Sequence, residues 1–129
     1  MWIPRQARAT VEFARARPHV YATVGVHPHS AAKLDASWWP ALCELAADPD
    51  VVAVGETGLD FFYDESPRQI QKGRFADHIE LAARLGKPLV CHIRDAHPEA
   101  AELLAERAAG RVQIIIHCFT GTPVDAQRY

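Results

Sequence analysis

Three short apolar runs in this chain each lead into a residue that binds metal ions well. Val51-Val52-Ala53-Val54-Gly55 leads into Glu56, Pro88-Leu89-Val90-Cys91 into His92, and Val112-Gln113-Ile114-Ile115-Ile116 into His117. β-Branched runs of this kind, separated by helical stretches, read as parallel strands buried on both faces. The ends of such strands converge on one rim, and α/β enzymes keep their chemistry there. A single acid or histidine at a strand end is ordinarily incidental. One carboxylate and two imidazoles at the ends of successive strands point to a metal site.

The elements that must position these residues alternate along the chain. Arg5 to Arg17 predicts a helix with Ala7, Val11 and Ala14 on one face, and Val20 to Val26 predicts a strand closed by Gly25, Pro28 and two histidines, His27 and His29. Ser37 to Ala47 predicts a second helix, with Trp38, Leu42, Leu45 and Ala46 at helical spacing. After the Val51 strand, Ser66-Pro67 supplies a capping hydroxyl and a first-turn proline for a long helix. Phe75, Ile79 and Ala82 line that helix, and Gly86 ends it. Pro98 and Gly110 bracket another helix, and Thr122-Pro123 is one more cap and first turn. The expectation is an α/β fold of about four parallel β/α units, either a half-barrel or an open sheet.

Length and composition set bounds. The 129 residues make one domain, about half of the ~250 typical of a closed (β/α)8 barrel. Hydrophobic content of 49% and charged content of 23% are ordinary for a soluble globular chain. The net charge of −2 argues against a broad basic nucleic-acid footprint but not against a nucleic acid gripped locally by metal and a few arginines. Cys43, Cys91 and Cys118 are too few and scattered for a disulfide framework, which predicts reduced thiols and a cytoplasmic location. No stretch approaches a membrane span, and Met1-Trp2-Ile3-Pro4-Arg5 does not read as a signal peptide.

Four motifs together resemble the strand-end motifs of the TatD family of metal-dependent deoxyribonucleases: Gly25-Val26-His27-Pro28-His29, Val54-Gly55-Glu56-Thr57-Gly58-Leu59-Asp60-Phe61, Pro88 through Ala96 with His92-Ile93-Arg94-Asp95, and Ile116-His117-Cys118-Phe119-Thr120-Gly121-Thr122. Their order and spacing match over residues 20 to 123, with Asp64-Glu65-Ser66-Pro67-Arg68 before the long helix. The resemblance implies an incomplete TIM-type barrel over residues 1–129 and hydrolysis of phosphodiesters in DNA or a related nucleic acid. Glu56 matches the carboxylate bridging two divalent metals, and His92 and His117 match imidazole ligands of one of them. His27 matches a catalytic loop histidine near the substrate phosphate, with His29 beside it and Arg94 as a further phosphate contact or a plain salt-bridge partner. Mg²⁺, Mn²⁺ or Zn²⁺ suits such donors, and two ions can activate a water and stabilise the leaving oxygen.

The family's first-strand His-x-His pair and a later aspartate ligand have no counterpart here, so one metal rather than two is expected, on a His/His/Glu set like that of catalytic zinc sites. The chain then reads as a truncated form with impaired activity, prone to self-association through open barrel edges. Two alternatives stand beside it: hydrolysis of another ester, such as that of aminoacyl-tRNA, on the same scaffold, and a non-catalytic remnant. Strand alternation turns Cys91 and Cys118 toward the helices. Asp60 stabilises its loop, Asp95 orients a ligand or pairs with a cation, Trp38 and Trp39 pack, and His19, His78 and His97 are surface or capping residues.

Overall fold

The computed structural model describes residues 3–129. Met1 and Trp2, part of the segment read above as no signal peptide, lie outside the described residues. Helix α1, Ile3–Arg15, leads to strand β1, Ala22–Val24. A 3₁₀ segment Pro28–Lys33 and a 3₁₀ turn Ala36–Trp38 precede α2, Trp39–Ala46. Then β2 (Val51–Asp60), α3 (Arg68–Leu85), β3 (Leu89–Arg94), α4 (His97–Arg107), β4 (Ile114–His117) and α5 (Pro123–Ala126) alternate. The four strands form one parallel sheet in the order β1-β2-β3-β4, so β1 and β4 are its edges. This is the incomplete β/α barrel expected. No helix of the described residues is long and apolar enough to cross a membrane.

Several boundaries differ from the sequence reading for local reasons. The first strand is shorter than Val20–Val26, because Val20 and Tyr21 are exposed and the Val26 N–H is taken by a side chain, His78 Nε2, at 3.0 Å. The second helix begins at Trp39 rather than Ser37, since Asp35 accepts from the Ser37 N–H and caps the preceding 3₁₀ turn instead. Ser66 does not cap α3. Its hydroxyl accepts from the Ala32 N–H at 3.1 Å and donates to the His29 carbonyl at 3.2 Å, tying the loop after β1 to the entrance of α3. Gly86 closes α3 in the left-handed conformation as expected, and Thr122 and Asp125 complete a reciprocal cap on α5.

Pairing sorts the sheet into two faces. Val24, Val54, Leu89 and Ile114 lie in register, as do Thr57, Cys91 and Ile116, and these rows meet the helices. Phe75, Ile79 and Ala82 of α3 are fully buried in that layer. Burial of a side chain such as Phe75 or Ile79 contributes about 1.5–3 kcal/mol. The other face carries Gly55, Val90 and Ile115 in one row and Gly58, His92 and His117 in the next.

Candidate metal centre

The strand carrying Glu56 does not end there. It runs on to Asp60, and between Gly55 and Thr57 its register against β3 shifts so that Glu56 is the extra residue of a bulge. Strict alternation would put Glu56 on the face of Val54, toward the helices; a bulge re-aims one side chain without disturbing the rest of the strand. Its carboxylate thereby joins His92 and His117 on the open face. Gly58 allows the close approach that follows: its φ is +141°, and a Cβ there would sit 2.1 Å from the His92 carbonyl oxygen. Likewise a Cβ on Gly25 would meet Gly55 Cα at 2.6 Å, so only glycine lets the loop carrying His27 come this near.

Glu56 Oε1 lies 2.6 Å from His117 Nδ1 and 4.0 Å from His92 Nδ1. His27, Glu56 and His92 form one group whose donor atoms all lie within 4.8 Å of one another, and His29, Asp60 and His92 form a second. His117 reaches the cluster through Glu56. The His27 ring is 4.4 Å from both the His29 and His92 rings. Arg94 stands apart from these donors, with its guanidinium 4.5 Å over the Phe62 ring and its Nε 3.8 Å from Asp95.

Asp60, whose side chain is 0% exposed, organises the cluster. Its Oδ2 is 2.8 Å from both His29 Nε2 and His92 Nε2, and its Oδ1 accepts from the backbone N–H groups of Phe62 (3.1 Å) and Tyr63 (2.8 Å). Burial raises its pKa, but the Tyr63 N–H and the two histidines outweigh this and hold it down at about 2. A carboxylate accepting a hydrogen bond from His92 Nε2–H leaves the Nδ1 lone pair turned toward Glu56, the arrangement by which metal-ligating histidines are oriented. Asp60 does stabilise its loop, as read above; its grip on two histidines is additional. Gln71, buried on α3, clamps the same residue: its amide donates to the carbonyls of Ser66 (2.7 Å) and Asp60 (3.1 Å) and accepts from the Asp60 N–H (2.8 Å).

Burial, with the nearby His92 and His29 imidazoles, lowers the His27 pKa to about 4, so its ring is neutral near pH 7. Its Nδ1 accepts from the His29 N–H at 3.2 Å, which leaves the proton on Nε2 as a donor.

The donor chemistry fits a divalent cation. Two donors each 2.0–2.2 Å from one ion lie at most about 4.4 Å apart. The 4.0 Å between Glu56 Oε1 and His92 Nδ1 falls within that span. The 2.6 Å between Glu56 and His117 is a hydrogen bond, shorter than the roughly 3.4 Å between two tetrahedral ligands.

Three side chains differ from expectation. Cys91 is buried against the helices, its thiol pushed up to about 12 by burial and Glu56, but Cys118 is exposed, with Sγ 3.5 Å from His117 Nε2. Alternation fails for Cys118 because β4 ends at His117 and the next residue turns with φ at +46°. His78 is neither surface nor cap. It is fully buried, accepts from Val26 and contacts the Arg74 carbonyl at 2.6 Å through Nδ1. His97 is buried too, 2.8 Å from the Tyr129 hydroxyl. Gln71 and His78 interrupt the apolar stripe of α3, and a polar residue in such a stripe needs buried partners, which is the signal that marks them.

Comparison with known proteins places this architecture. A sequence model described as TatD related DNase matches residues 3–129. The chain is 39% identical over 123 residues to the 3'-5' ssDNA/RNA exonuclease TatD of Escherichia fergusonii, covering 95% of this chain and 47% of that protein. It is 42% identical over 106 residues to YabD of Bacillus subtilis, an uncharacterized metal-dependent hydrolase, covering 80% and 40%. The crystal structure of YJJV, a TatD homolog from Escherichia coli, superposes with a TM-score of 0.88 at 28% identity over 97% of this chain and 49% of that one. The chain thus spans about half the length of the curated relatives it matches.

Proposed function

The chain belongs to the TatD-related DNase family, and from that premise we propose that the protein is a divalent-metal-dependent hydrolase of phosphodiester bonds in single-stranded DNA or RNA. The observation that carries this reading is the clustering of Glu56 and His92 donors at 4.0 Å on the open face of the sheet, with His117 hydrogen-bonded to the same Glu56 oxygen. Glu56, His92 and His117 are the proposed metal ligands, with Mg²⁺, Mn²⁺ or Zn²⁺ as the ion. When bound, such a cation supplies Lewis-acid stabilisation and lowers the pKa of water.

The chain's own groups divide the remaining work. Asp60 holds the His92 proton on Nε2 and so keeps Nδ1 available as a donor of electron pairs. His27, neutral and carrying its proton on Nε2, donates a hydrogen bond to a phosphate oxygen. His29, fixed by Asp60, lines the same approach, and Arg94 contributes positive charge at the rim. Residues 1–129 form one partial hydrolase domain in this reading, and the protein is cytoplasmic with reduced thiols. The names of the relatives favour nucleic acid over an aminoacyl ester.

The test is cleavage of single-stranded DNA with and without Mg²⁺ or Mn²⁺, alongside Glu56→Ala and His92→Ala. Metal-dependent cleavage lost in both variants is expected. Cleavage that persists in Glu56→Ala, or that survives chelation, rules the site out.

A further inference from the structure

Immediately beyond the donor cluster the loop after β2 presents two aromatic rings to solvent. Phe62 is 54% exposed and Tyr63 is 59% exposed. They meet edge to face, 4.8 Å between centroids at 86°, and Tyr63 lies 5.4 Å from the His29 ring. The loop is held firmly. Asp60 Oδ1 accepts from both backbone N–H groups of these residues, while its other oxygen holds His29 and His92. One buried carboxylate therefore fixes the aromatic pair and the imidazoles in a single frame. Arg94 sits 4.5 Å over Phe62, so one cation flanks the pair directly, while Arg68, over Phe61 next to it, is ion-paired with Asp64 at 3.0 Å.

From this geometry we propose that Phe62 and Tyr63 are a base-stacking platform for single-stranded nucleic acid, positioned so that a phosphate flanking the stacked base meets Arg94 and the His27/His29 edge of the centre. Binding sites for single strands combine aromatic faces with positive charge along the backbone, and stacking tolerates any base because every base has a π face. A duplex offers no unstacked face, so the platform favours single strands. Preorganisation by Asp60 keeps the entropy cost of binding low. The inference rests on the single-strand nucleic-acid reading above and deepens it by naming the side chains that hold the bases.

The test measures binding apart from chemistry. The full chain, in chelator, is titrated into a short single strand carrying 2-aminopurine, and into the same strand with an abasic site in its place. The expected result is quenching on binding, with affinity about tenfold or more weaker for Phe62→Leu and for Tyr63→Leu, as loss of one stack predicts. Tyr63→Phe should bind as the parent does, and the abasic strand should bind weakly and indifferently to these substitutions. Equal affinity of parent and both leucine variants overturns the platform. So does metal-dependent cleavage whose KM neither substitution moves, an outcome that leaves the hydrolase reading standing. Stacking lost in the variants, with no cleavage by the parent, upholds the platform and removes the hydrolase reading instead. No binding to any strand overturns the platform, and the hydrolase reading then stands or falls on metal-dependent cleavage alone.

Discussion

Replacing Asp60 by asparagine preserves its size but removes the charge that accepts hydrogen bonds from two histidines. Outer partners of ligating histidines are typically worth 10–100-fold in metal affinity. Asp60→Asn should therefore weaken Mn²⁺ binding by about that factor, read by calorimetry, and should loosen the Phe62–Tyr63 loop as well. Unchanged affinity would mean that the 2.8 Å contacts to His29 and His92 are incidental. His78 gives a second residue-scale prediction. Burial depresses its pKa from 6.5 to about 4, so the unfolded chain binds the extra proton first as pH falls. Stability from this group is complete above pH 6.5 and is lost as pH drops toward 4, by about 3 kcal/mol in all. Thermal unfolding of His78→Gln, which keeps an acceptor for the Val26 N–H, should show a shallower acid decline than the parent; an identical slope would refute the assignment.

At the scale of elements, two glycines should respond in opposite directions to alanine. Gly58 lies in β2 with positive φ and a Cβ position 2.1 Å from a backbone oxygen of β3, so Gly58→Ala should cost about 3 kcal/mol and displace His92. Gly73 lies inside α3 with nothing within 4 Å of its Cβ position, so Gly73→Ala should stabilise by about 0.5–1 kcal/mol. Denaturant unfolding of both variants checks the pair. Strands and helices here were readable as elements, but the strand around Glu56 was legible only in part. A run of valines announces a strand and is silent about a bulge, because the bulge depends on register against β3.

For the whole molecule, the edges β1 and β4 are unpaired within this sheet, and Ile115 is 47% exposed on the open face beside half-buried Val90. Exposed strand edges pair with other chains. The 129-residue chain alone should therefore self-associate, with light scattering rising steeply with concentration; a monomer at high concentration would argue against it. The same chain, spanning about half the length of its relatives, should also cleave DNA more slowly than the Escherichia fergusonii protein under equal metal. Equal turnover would show that one His/His/Glu set suffices.

From the sequence alone came the parallel β/α alternation, the candidate ligands Glu56, His92 and His117, the nearby His27 and His29, and the family, because these rest on local apolar periodicity and on residue types at fixed spacing. What only the tertiary structure decided were relations between distant segments. The bulge that turns Glu56 onto the open face, Asp60 shared between His29 and His92, Ser66 diverted from capping to the His29 loop, and buried His78 bonded to Val26 all join residues 31 to 52 positions apart or on different strands. Hydrogen-bond partners at such separations are chosen by packing and the need to satisfy buried polar groups, and no local pattern in the chain encodes that choice.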